Sequence, residues 1–265
     1  MVVRLPKSNR VNVPPASLAS VAYNDSPVPL SIGGARQEHA GLFERLESLP
    51  QQRMRAACFE EHMDAAFHLH QWRSSSAKTT GLNTRNSYVR FLLGWMFDAN
   101  SPEGAVMKGW VLSRFGLPPI YHRAPLEGSD TEAYFQFEKD CAKGLGTTND
   151  ILHQLDLLYE FTQWELAERH ATAKHLTLYR GIYDFDEHSV ETDLGGRNYR
   201  IWLNNLNSFT TDFERAWEFG DRVLEVRVPL PKVFFDGAFL HSNLLQGEEE
   251  VLVLGGRYEV RVCLY

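Results

Sequence analysis

The chain has 265 residues, of which 43% are hydrophobic and 12% aromatic, and this excludes a disordered protein and leaves ample chain for a core. A formal net charge of −7 argues against a general nucleic-acid binder or a membrane-surface protein. Cys58, Cys141 and Cys263 are far apart with no CxxC spacing, and no apolar run approaches the length of a membrane span. The expectation is a reduced, cytoplasmic protein with no disulfide framework, no metal and no membrane insertion.

Residues 1–36 are rich in Pro, Ser, Asn and Gly and read as an irregular N-terminal arm, in which prolines interrupt any signal-like stretch. Helical periodicity dominates residues 37–172. Leu42, Phe43, Leu46 and Leu49 form one stripe, and Phe59, Met63 and Phe67 follow at four-residue spacing. The Ser/Lys/Thr/Gly/Asn stretch at 73–83 reads as a loop, after which Tyr88, Phe91, Leu92, Trp95 and Met96 share a face. "SPEGAVMKGWVLSRFG" is punctuated as a helix, with Ser101 as N-cap, Pro102 in the first turn, Glu103 at the positive dipole end and Gly116 at the stop. A further helix over about 130–143 ends in "KGLGTTND". That run has no preceding strand and no P-loop Lys-Ser/Thr pair, so it reads as a linker. "DILHQLDLLYEFTQWELAERH" then predicts a long amphipathic helix. Trp95, Trp110 and Trp164 are expected in the core.

The pattern changes near residue 174. "HLTLYRGIYDF", "YRIWLNNLNSFTT", "RVLEVRVPLP", "KVFF", "EEEVLVL" and "YEVRVCLY" are short alternating runs, interrupted by one short helix, "DFERAWEFG", that ends at Gly220. The Gly255-Gly256 pair reads as a turn between the last two. Residues 173–265 are therefore the expected β-rich region of an α+β protein.

Three features of this last third carry chemistry. Arg180 lies on a predicted strand just before Gly181, where a guanidinium can meet a phosphate and the backbone can approach a ligand closely. Taken alone, a strand arginine is as well a solvated face or an ion-pair partner. Ser208, Thr210 and Thr211 end a later strand, where hydroxyls can fix an acidic side chain on a neighbour, while Thr211 or Asp212 can also merely cap the next helix. Glu248 and Glu250, two apart, point to one face of the strand they open, as an acidic edge or a catalytic pair. His62, His68 and His70 lack a metal-ligand spacing, since 68 and 70 do not share a helix face.

The combination resembles the arginine–serine–glutamate mono-ADP-ribosyltransferases of the cholera-toxin-like class. Members of that class write its parts roughly as "YRG", "FTSTS" and "EEEVLIP", and this chain has "YRG", "SFTTD" and "EEEVLVL". The stretches "NDSPVPLSIGG", "GLFERLESL", "HLHQW" and "SYVRFLLGWMFDANSPEGAVMKGWVLSRFGLPP", together with "LNNLNSFTTDFERAWEFGD", look like the dinitrogenase reductase ADP-ribosyltransferases of nitrogen-fixing bacteria. That likeness spans nearly the whole chain, including a helical part that the toxins do not share.

The resemblance implies a helical part packed on two small β-sheets with NAD+ bound between them. It implies transfer of ADP-ribose to an arginine of nitrogenase iron protein (dinitrogenase reductase, MgADP-bound), which reversibly blocks electron transfer, with control by a PII signalling protein. Residue by residue, Glu250 matches the catalytic glutamate, Glu248 the group that orients and helps deprotonate the acceptor guanidinium, and Arg180 the NAD+ phosphate ligand beside Gly181. Where many members have Ser-Thr-Ser, this chain has Thr210, Thr211 and Asp212, so the serine role falls to Ser208 or Thr211. The alternatives are an enzyme of the same class with another protein target, an NAD glycohydrolase, or an inactive binding module.

Overall fold

The computed structural model describes residues 3–69, 87–146, 150–183, 189–240 and 250–264. The loop expected at 73–83, His70 and Glu248 lie outside the described residues, as does part of the linker after residue 143.

The first 36 residues hold three short helices, the last running just beyond that span: α1 (Pro15–Leu18), α2 (Val21–Asp25) and α3 (Ala35–Glu38). This segment is tied down at several points. Arg10 N–H donates to the Arg114 carbonyl at 2.8 Å, Ile32 N–H to Glu160 Oε1 at 2.8 Å, and Arg257 N–H to the Ala19 carbonyl at 2.9 Å. Gly256, at φ 110°, is what lets Ala19 come so near, since a Cβ there would sit 3.0 Å from Ala19 Cα.

The helical layer follows as α4 (Ala40–Glu47), α5 (Gln52–Ala66), α6 (Tyr88–Phe97) and α7 (Pro102–Phe115), then a two-residue hairpin of β1 (Tyr121–His122) and β2 (Ala124–Pro125), α8 (Glu132–Leu145) and α9 (Ile151–Arg169). Helix α7 carries the punctuation read from its sequence. Ser101 Oγ accepts from Gly104 N–H at 3.1 Å, and Gly116 closes the helix in the left-handed region at φ 68°.

Helix α9 departs from the amphipathic expectation, because its polar positions are buried too. Gln154, Asp156, Glu160, Thr162 and Glu165 are all at most 5% exposed. Each of the acids has a partner: Arg114 grips both oxygens of Asp156, Arg55 both oxygens of Glu165, and Ile32 N–H meets Glu160. A helix buried along most of its length keeps charged groups there only if they are paired and hydrogen-bonded. Its apolar side joins Phe161 to Phe59, stacked 4.1 Å apart, and Trp110 packs on Phe234 of the sheet at 4.7 Å, within one contiguous core. Trp95, Trp110 and Trp164 are all buried, as expected. No described helix is long and apolar enough to cross a membrane.

The last third forms β3 (His175–Ile182), β4 (Ser189–Gly195), β5 (Asn198–Thr210), α10 (Phe213–Ala216) with a 3-10 turn over Trp217–Phe219, β6 (Arg222–Pro229), β7 (Val233–Asp236) and β8 (Glu250–Leu264). These strands make one six-stranded antiparallel sheet, in the order β4-β5-β3-β6-β8-β7, rather than the two small sheets expected. The reason is two long strands that serve both sides. Along one edge β8 pairs with β5; along the other it pairs with β6 near its end and with β7 near its start. Since β3 pairs with both β6 and β5, the pairings close a ring β3–β6–β8–β5.

The Gly255-Gly256 turn expected between two strands is likewise absent, and β8 runs straight through both glycines. Opposite Gly255, β5 carries an extra residue at Asn204-Asn205, a bulge that bends the strand. A Cβ on Gly255 would lie 1.7 Å from the Asn204 carbonyl oxygen, so glycine here admits the bulge. Strand β4 was not read from its sequence, because "SVETDLG" is mostly exposed and polar and its pairing comes from β5 alone.

Candidate active site

Strands β3, β5 and β8 converge at the ends that carry the three sequence features. Thr210 lies directly across from Glu250 in the β5–β8 register, and Tyr179 lies across from Thr210 in the β3–β5 register. In antiparallel pairing, directly opposed residues point to one face. Thr210 and Glu250 are therefore side by side, with Ser208 on the same face two residues away.

A cleft of about 310 Å³ opens here, and Arg180, Gly181, Ser208, Thr210 and Glu250 all line it. Five of the sequence-predicted site residues are thus brought together. Thr211 is exposed and is not among the lining residues, and Asp212 accepts from Glu214 N–H at 2.8 Å and Arg215 N–H at 3.2 Å as the cap of α10. The capping role read for this stretch falls to Asp212. Thr210 Oγ1 accepts from Asp212 N–H at 3.1 Å, which fixes the turn out of β5.

Arg180 is half-buried, and its Nη1 donates to the Ser208 carbonyl at 2.8 Å. Its Nε is buried with no hydrogen-bond partner among the described residues. Burial lowers the guanidinium below its usual range, and the Glu250 carboxylate acts in the opposite direction. A partly desolvated guanidinium with an unused donor is suited to an anionic ligand.

Gly181 has a second reason to be glycine besides the cleft. A Cβ there would lie 2.0 Å from the Ala216 carbonyl oxygen and 2.9 Å from the Phe219 carbonyl carbon. Gly220 plays the reciprocal part, since its Cβ would meet the Ile182 backbone at 2.2–2.4 Å. Its φ of 176° is extended, so close approach and not a left-handed cap selects glycine there. The short helix is thereby pressed onto β3, and Arg215 and Phe219 reach the cleft wall.

Arg215 and Phe219, with Met96 of α6, are lining residues that the sequence reading did not single out. The first two sit in "DFERAWEFG", which carried a usable signal. Met96 lies within an apolar helical stripe indistinguishable from core. Near α5, His39 Nδ1 and His62 Nε2 are 3.0 Å apart, but no group of three or more His, Cys, Asp or Glu among the described residues is placed to hold a metal.

Comparison with known proteins adds the family. The model of the family described as dinitrogenase reductase ADP-ribosyltransferase matches residues 8–262. The NAD(+)–dinitrogen-reductase ADP-D-ribosyltransferase of Rhodospirillum rubrum is 39% identical over 258 residues, covering 96% of this chain and 94% of that protein. No solved structure matches the chain. A match that runs through the helical layer as well as the cleft leads to one conclusion: this chain belongs to the dinitrogenase reductase ADP-ribosyltransferase family.

Proposed function

We propose that this protein transfers ADP-ribose from NAD+ to an arginine of dinitrogenase reductase and so switches off nitrogen fixation. The observation that carries the reading is the convergence of Arg180, Ser208, Thr210 and Glu250 on one cleft, in a chain of this family. Catalysis then belongs to residues 173–265, with 37–172 as the packed helical part and 1–36 as the arm that straps the two.

The chemistry follows from the bond that breaks. Cleavage of the nicotinamide–ribose bond sends both electrons to nicotinamide and leaves an oxocarbenium-like positive charge on the ribose. Glu250 stands beside that centre and stabilises the charge as it forms, which lowers the barrier because the interaction is stronger in the transition state than in the ground state. Arg180 holds the NAD+ phosphates through the donor that no described residue uses. Glu248 accepts a proton from the incoming guanidinium, whose pKa above about 12 makes it a poor nucleophile unaided. The new bond joins the guanidine nitrogen to the ribose carbon. No metal enters this scheme. Resemblance to the family supports a second partner, a PII signalling protein, and a cytoplasmic setting.

Nicotinamide release from NAD+, followed with and without dinitrogenase reductase, tests the proposal. Release that depends on the acceptor supports transfer. Equal release in both cases would point to an NAD glycohydrolase, and none at all would leave only a binding module.

A further inference from the structure

Ser208 is gripped from two sides. Its carbonyl oxygen accepts from Arg180 Nη1 at 2.8 Å, and its hydroxyl oxygen accepts from the indole Nε1–H of Trp95 at 2.9 Å. Trp95 belongs to α6, on the helical layer, and is 3% exposed; its neighbour Met96 lines the cleft.

That helix is placed tightly. A Cβ on Gly94 would lie 2.5 Å from Glu103 Cβ, so the α6 backbone packs directly on the Glu103 side chain of α7, and Arg90 pairs with Glu103 across the same contact at 2.6 Å. Helix α7 is in turn tied to the bulge of β5. Asn205 Nδ2 donates to the Lys108 carbonyl at 2.8 Å and to the Leu117 carbonyl at 3.0 Å. Lys108 Nζ sits 5.8 Å from the Trp95 ring and packs against it. The indole is thus fixed relative to β5 before any ligand arrives.

An indole N–H is a donor only, whereas a serine hydroxyl both donates and accepts. By occupying an acceptor site of Ser208, Trp95 leaves the hydroxyl's own proton for the cleft. We propose that Trp95 is a positioning residue that fixes Ser208 as a hydrogen-bond donor toward an acceptor atom of bound NAD+. This rests on the proposed function, in which the cleft binds NAD+. It also gives the helical layer a part in substrate binding and, for the hydroxyl next to Arg180, favours Ser208 over the exposed Thr211.

The test is a double-mutant cycle with Trp95→Phe, which keeps an aromatic ring in the core but removes the indole N–H together with part of the ring system, and Ser208→Ala. Both variants are first checked for wild-type melting. Because the acceptor atom is present in the bound substrate as well as in the transition state, the loss falls on KM for NAD+, with kcat changed less than about twofold. Each single variant should raise KM roughly tenfold, the scale of one neutral hydrogen bond. The double variant should also lose roughly tenfold, because Trp95 acts only through Ser208. Losses that multiply to roughly a hundredfold, or a Trp95→Phe protein with unchanged KM, would overturn the inference. A variant that melts early but binds NAD+ normally would also overturn it, by making Trp95 purely structural. A wild-type protein that releases no nicotinamide would instead sink the proposed function, and this inference with it.

Discussion

The helical layer and the cleft treat buried charge in opposite ways. Around α9, Arg114 grips both oxygens of Asp156 at 2.8 and 2.9 Å, with the Trp110 indole adding a third bond at 2.7 Å. Arg55 does the same to Glu165 at 2.7 and 2.8 Å. In the cleft, Arg180 has one main-chain carbonyl and an Nε donor that no described residue takes up. The paired charges hold α9 in place, whereas Arg180 keeps an unused donor at the cleft.

The largest expected effect breaks the scaffold side of this comparison. Asp156→Asn strands the buried Arg114 guanidinium and should cost about 3–5 kcal/mol in urea unfolding, while NAD+ turnover of the remaining folded protein stays near wild type. A cost below about 1 kcal/mol would mean that these pairs are incidental. Glu250→Gln should do the reverse, with melting unchanged and turnover down by at least roughly a hundredfold, as loss of a charge-stabilising group typically gives. Near-normal turnover would refute the role given to Glu250. Arg180→Lys keeps a positive charge but loses the planar fork, and should raise KM for NAD+ by roughly tenfold with little change in stability. An unchanged KM would remove Arg180 from the phosphate site.

The smallest effect concerns a buried charge that belongs to neither class. Lys232 is fully buried, with Nζ 3.3 Å from the Gly255 carbonyl and 4.6 Å from the centre of the Tyr258 ring. Burial brings its ammonium down from 10.5 to about 7. The folded value lies below the unfolded one, so between those two values the unfolded chain holds more protons, and stability falls as pH drops from about 10.5 to about 7. Lys232→Met should remove that slope. Its gain, on the order of 1 kcal/mol, should be greatest at pH 7 and below and shrink toward pH 10. Melting curves across that range would check it, and a gain that grows with pH would contradict it.

Much of this was legible in the sequence, for reasons that differ by element. The caps of α7 are local, so Ser101, Pro102 and Gly116 announce the helix without help from the rest of the chain. The cleft was legible because strand ends put Arg180, Ser208, Thr210 and Glu250 in three short motifs. Nonlocal features were not. Whether Gly255 makes a turn or faces a bulge depends on Asn204, some fifty residues earlier, and no window of sequence contains both. The polar positions of α9 read as a solvated face because their partners, Arg55 and Arg114, sit on other helices. Trp95 read as core, which it is; only the fold shows that its one polar atom points at Ser208.

The most direct test of the account is intact-mass measurement of dinitrogenase reductase after incubation with this protein and NAD+. The account predicts a gain of one ADP-ribose on the acceptor, located on an arginine, and no gain with the Glu250→Gln protein. An acceptor that stays unmodified by the wild-type protein, or that is modified equally by Glu250→Gln, would contradict it.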